Sequence, residues 1–374
     1  MLPTAGLTLL ALAGSVLLAL AGLGSPLAVA HLAFAVGIVP LICAAMIHFV
    51  PVLTRTGDPG GGIRRLPLAA QIAGTLAVLA MEGWLPRLGL TLAATVDLLL
   101  AAILLNWIAG RARAALGASH PGWRWYGAAL GCLMLALVAV LVIDGLPHYW
   151  RPLRLVHLHL NALGLVGLAA LGTLPLLLPT ALGKFDPEAG SWLRRRLWVV
   201  AGGALVVTVG SGIAWQFALP GAALLLVAVL GLACQWIRRF GIAPLLRDGV
   251  SVSLLTALAG LVLTIAAGVA HGAGLMPARP TLLAWVAGFL LPLVSGALSQ
   301  LLPVWRWPGP AIPARAVMRQ RLAASGGWRA GFFLAAALAV LAGYELPGVL
   351  LLALAVALVA VALVQAARVS RSTG

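Results

Sequence analysis

Charge is scarce in this sequence. Only 9% of its 374 residues are Asp, Glu, Lys or Arg, and only eight of them are acidic. A water-soluble domain does not keep its surface hydrated on so few ionic groups. Cysteine is scarce too: Cys43, Cys132 and Cys234 stand singly in apolar runs, with no Cys-x-x-Cys pair. That excludes a disulfide framework and a cysteine zinc site, and leaves core residues. Of the three tyrosines, Tyr126 and Tyr344 sit at the ends of apolar runs and Tyr149 lies outside them. No linker divides the chain, and the longest polar connection, about 305 to 328, is rich in Pro and Arg. A separate soluble catalytic domain is therefore not expected. The run Leu7 to Leu23 lacks a basic leader, so it reads as a retained helix despite the cleavage-like Ala28-Val29-Ala30 behind it.

What fills the chain is apolar sequence. Hydrophobic residues make up 63%, and mean hydropathy is +1.10. The runs are of roughly 20 residues, long enough for helices that cross a bilayer and too long for barrel strands. Twelve apolar segments lie near 5–24, 28–50, 66–85, 88–110, 126–147, 154–180, 197–217, 219–237, 250–274, 281–304, 329–345 and 346–367. The chain is expected to be an all-α membrane protein, one transmembrane domain over 1–374 with the lipid bilayer as its solvent. Forty-four glycines suit close helix contact in lipid.

The net charge of +16 follows the loops rather than any nucleic acid. Alternate connections hold 20 of the 24 basic residues, in groups that include Arg55, Arg64 and Arg65, then Arg194 to Arg196, then Arg315 to Arg329, and finally Arg368 and Arg371. The other connections hold only Arg87, Arg151, Arg154 and Arg279. The positive-inside rule then places both termini in the cytoplasm and the protein in the inner (cytoplasmic) membrane as a multi-pass chain. Tryptophans such as Trp84, Trp107, Trp150, Trp198, Trp236 and Trp305 stand near span ends, as interfacial anchors do.

An internal repeat runs beneath this pattern. The second, sixth and tenth segments close on Pro51, Pro179 and Pro303, which are 128 and 124 residues apart. Counting back 20 residues from each proline gives His31, His159 and Leu283. The chain thus reads as three four-helix pseudo-repeats, roughly 1–125, 126–248 and 249–374. Twenty helical residues rise about 30 Å, so each proline lies a bilayer away from its partner position.

The sixth segment carries the chemistry, in His157-Leu158-His159-Leu160-Asn161. Two residues advance a helix by about 200°, so its two imidazoles face opposite sides and offer ligands to two neighbouring spaces. Ionisable groups inside a membrane are functional candidates by default. The topology brings His31, His157, His159 and His271 to the outer level, and neutral imidazole binds haem iron and copper. His271, followed by Gly272, reads equally as a ligand or as a helix end. His148 reads as interfacial, His120 as solvated or interfacial, and His48 as a group that snorkels to the nearby boundary. Asp97 fits either a proton path or a hydrogen bond to a neighbouring helix, and Glu82 and Asp144 read as solvated.

The stretch from His157 to Pro179 resembles the tenth helix of haem–copper oxidase catalytic subunits, most closely the branch with b-type haems and cytochrome c partners. There the H-x-H is followed by A-L-G, V-G, G and L-x-P at the same spacing. The resemblance implies that His157 binds a high-spin haem and His159 a low-spin haem, with His31 as the other low-spin ligand. It also implies haem b, one or two per chain, and a cytochrome or other redox subunit as protein partner. The departures narrow this. The H-x-H stands on the sixth segment, the tenth has Thr281 and Leu283 instead, and the seventh contains no histidine for a copper pair. Oxygen reduction to water is not expected. The chain is also similar to twelve-helix haem membrane proteins of the nitric-oxide response.

The expected function is therefore that of an oxidoreductase-like haem b protein for electron transfer or for handling a diatomic gas such as nitric oxide. His31, His157 and His159 would bind the cofactor, and His271 would complete a metal site. The alternative is a membrane protein without haem that handles or transports copper through the same histidines. A scaffold that binds nothing is the third reading.

Overall fold

The computed structural model describes residues 1–370, so Arg371 lies outside the described residues. These residues are almost wholly helical, with no strand among them. Twelve helices are long and apolar enough to cross a membrane, in the order anticipated from the sequence. They are spans 1 to 12: Leu2–Ala19, Pro26–Thr54, Gly61–Met81, Leu88–Arg113, Gly122–Ile143, Pro147–Ala181, Ala189–Ile213, Trp215–Phe240, Gly249–Gly272, Ala278–Arg306, Pro313–Leu341 and Glu345–Ala367. Hydrocarbon offers the backbone no hydrogen-bond partner, so a chain this apolar must satisfy its amides within each helix.

The chain forms two compact units. The first comprises Met1–Gly172, Leu193–Leu197 and Ser211–Ile213; the second comprises Thr173–Trp192, Trp198–Gly210 and the described residues from Ala214 onward. In the first, Trp125 and Tyr126 are fully buried, and the Trp125 indole donates to the Leu193 carbonyl at 3.0 Å. Gly172 lies directly under that indole, where a Cβ would come within 2.5 Å of the Trp125 Cβ. In the second, Trp236, Phe289 and Phe333 are buried to the same degree.

Three spans carry a wide turn. Each of spans 2, 6 and 10 contains a π-helical stretch, over Leu32–Ile38, Leu160–Gly167 and Val286–Leu290. Such wide turns are rare and are frequent at functional sites. Local causes are visible in two of them. Pro40 and Pro292 follow the wide turn closely, and a proline cannot donate to the carbonyl four residues before it. The Val36 carbonyl that Pro40 leaves free accepts instead from Gln71 of span 3 at 3.4 Å. These are the same three spans in which the sequence repeat was read. The wide turn starts just after His31, His159 and Trp285.

The sparsely charged connections are partly neutralised. Arg87 pairs with Asp144, and Arg279 approaches Glu345 at 3.8 Å. Glu82 is not merely solvated, since its carboxylate accepts from the Ser25 amide at 2.7 Å.

Candidate functional site

The first unit brings His31 and His157 together. Span 2 opens with Ser25, whose hydroxyl accepts from the Ala28 amide, and with Pro26 in the first turn. One further turn of regular helix delivers His31 to the edge of the wide turn. Span 6 opens as a short 3-10 turn, Pro147–Tyr149, and continues as regular helix to His159. The rings of His31 and His157 lie 6.2 Å apart between centroids, with their planes 14° from parallel. Both side chains are half-buried.

The hydrogen bonds fix the tautomers. His31 Nδ1 lies 2.8 Å from the Leu27 carbonyl, and His157 Nδ1 lies 3.0 Å from the Ala136 carbonyl of span 5. A carbonyl only accepts, so each Nδ1 carries the hydrogen and each Nε2 keeps its lone pair. No protein hydrogen bond engages either Nε2 among the described residues. A backbone-anchored Nδ1–H with a free Nε2 is how proteins orient an imidazole toward a metal. Asn161 steadies the turn by donating to the His157 carbonyl at 2.8 Å.

His159 faces elsewhere, as its position along the helix requires. Its Nδ1 lies 2.9 Å from the Leu155 carbonyl and 3.2 Å from the Ser211 hydroxyl of span 7. The two-sided geometry of the H-x-H is therefore present, but the pairing differs from the one the oxidase resemblance implies. The ring that lies near-parallel to His31 is that of His157. The physical reason is rotational: span 6 turns its His157 face toward spans 2 and 5 and its His159 face toward span 7. His271 is exposed in the second unit, and its Nδ1 is bound by the Met276 carbonyl at 2.8 Å, which fits the helix-end reading.

The donor set is two imidazoles, which a haem iron or a two-coordinate copper(I) ion would accept. Among the described residues, no three His, Cys, Asp or Glu side chains converge to hold a bare ion. A site of two imidazoles suits a haem, whose porphyrin supplies the other four nitrogens. His31 and His157 are the two imidazoles here that could hold a haem iron.

The remaining polar groups do not join this pair. His48 lies at the far end of span 2, edge-on to Phe49 at 5.1 Å. Asp97 has one buried carboxylate oxygen without a hydrogen bond. His120 is not simply solvated. Its amide donates to the Leu53 carbonyl at 2.9 Å, and its Nδ1 accepts from the Gly122 amide at 3.3 Å. Burial, and then the Arg194 cation, lower its pKa below the usual 6.5. The unfolded chain therefore takes up this proton first as pH falls. Stability is fully present above about pH 6.5 and declines as pH drops toward the folded pKa. His120→Gln is expected to flatten this acid-side decline, measured as the difference in thermal midpoint between pH 7.5 and pH 5.

Sequence reasoning missed the three wide turns and the His31–His157 pairing. The prolines two residues after the turns in spans 2 and 10 were the available signal for the former. Compared with family models, with curated proteins and with solved structures, the chain matches none, so its own residues and their geometry carry the functional reading.

Proposed function

We propose that this is a haem b-binding multi-pass membrane protein that transfers electrons, with His31 and His157 as the residues that would hold the haem. The observation that carries the reading is the near-parallel pair of imidazoles at 6.2 Å, each with Nδ1 tied to a backbone carbonyl. A bound haem b supplies a reversible one-electron iron couple. The chain's own part is to orient both rings through Leu27 and Ala136 and to strengthen the donor nitrogens. A haem held by both His31 and His157 would supply electron transfer rather than gas binding. Diatomic gas chemistry would belong to a second haem on the His159 side, next to Ser211. The haem–copper oxidase resemblance supports the same class, with the pairing revised, and makes a cytochrome or another redox subunit the partner. The arginine-rich connections support cytoplasmic termini and an inner-membrane location.

The test is a reduced-minus-oxidised visible spectrum of the purified protein in detergent, with a pyridine-haem assay and metal analysis on the same sample. Sharp low-spin b-type bands are expected at one or more haems per chain. Colourless protein from haem-replete cells would overturn the proposal, and stoichiometric copper in it would favour copper handling.

A further inference from the structure

A haem is not apolar throughout. It carries two propionate carboxylates, and an unpaired carboxylate is costly in hydrocarbon. The depth of the imidazole pair sets which way they leave. His31 and His157 both stand in the first third of their spans, Pro26–Thr54 and Pro147–Ala181. The short way to water is toward the starts of those spans, and the other way crosses most of a bilayer.

The ionic groups at that end of the first unit are few, and most are committed. Asp144 pairs with Arg87, and the Glu82 carboxylate accepts from the Ser25 amide at 2.7 Å. Arg151 and Arg154 remain, both exposed and both in the first turns of span 6. Neither has a carboxylate partner among the described residues.

Their places on the helix differ. Trp150–His159 is one regular helix, so Trp150, Arg154 and His157 stand at i, i+4 and i+7, along one stripe. Arg151 lies about 120° round the helix from His157. The Arg154 guanidinium rests over the Trp150 ring, 5.3 Å from its centroid. Its side chain therefore runs back toward the start of span 6 on the face that carries His157. A guanidinium placed on an aromatic ring keeps N–H donors for a carboxylate, which it can bond in pairs.

We propose that Arg154 is a haem-binding residue that pairs with a propionate carboxylate of the haem held by His31 and His157. The assignment rests on the haem reading above and supplies the counter-charge that two imidazoles do not. Arg151, with the same charge on another face of the same helix, takes no part in it.

The test uses the full-length protein, purified in detergent from haem-limited cells. It is titrated with haemin or with haemin dimethyl ester, which lacks the two negative charges, and the Soret band reports binding. The quantity of interest is the ratio of the two affinities. Arg154→Gln is expected to lower that ratio roughly fivefold by weakening haemin alone, with the ester bound as in wild type. Arg151→Gln is expected to keep the wild-type ratio. An unchanged ratio in Arg154→Gln overturns the assignment. So does an equal fall in both variants, which is the mark of surface charge in general, and so does an equal loss of haemin and ester, which is the mark of a structural role. Each of these outcomes leaves the haem reading standing. Failure of the wild type to bind either porphyrin overturns the haem reading itself, and the assignment with it.

Discussion

His157→Ala removes the low-spin haem spectrum, His31→Ala does the same, and His159→Ala leaves the bands of that centre in place. This is the expected outcome if the 6.2 Å pair holds the iron. Each imidazole would then supply a ligand to the iron, with its Nδ1 anchored on the Leu27 or Ala136 carbonyl. His159 instead hydrogen-bonds Ser211 on another side of span 6. The oxidase resemblance, taken residue by residue, makes the opposite prediction for the two span 6 histidines. The measurement is the height of the reduced-minus-oxidised bands per mole of protein for each variant. Loss of the bands in His159→Ala with retention in His157→Ala would overturn the pairing. A second haem on the His159 side would appear as a further set of bands missing from His159→Ala alone.

The largest stability effect is expected at Gly260. A single methyl group there would overlap the carbonyl oxygen, carbonyl carbon and Cα of Gly288, within the wide turn of span 10. These are backbone atoms of a packed helix, so no side chain can rotate away. Spans 9 and 10 would have to separate, pulling Leu263 of span 9 away from the buried cluster of Ala284, Ala287, Ala336 and Ala337. Overpacking of this kind costs about 3 kcal/mol or more, a large part of a typical protein's stability. Gly260→Ala should therefore yield little monodisperse protein by size-exclusion chromatography in mild detergent. Gly268→Ala, on the same helix with nothing within 4 Å of the added carbon, should behave as wild type. Equal yields of the two variants would refute the close approach.

The sequence alone determined the class of the fold. With 63% hydrophobic residues in runs of bilayer length, the backbone has no hydrogen-bond partner but itself, and twelve helices follow. It also determined that His157 and His159 face different ways, because that depends only on the advance per residue within one helix. Tertiary structure decided the rest. Which of the two meets His31 depends on how span 6 is rotated against its neighbours, and nothing within one helix sets that angle. The wide turn after His31 leaves the Val36 carbonyl without its regular donor, and span 3 supplies Gln71 in its place. The burial of Arg329 follows from two glycines far apart in sequence, Gly249 and Gly326, whose lack of side chains lets two helix starts touch. An arginine at the end of a polar loop reads as solvated until that contact forms, because its neighbours in space are not its neighbours along the chain.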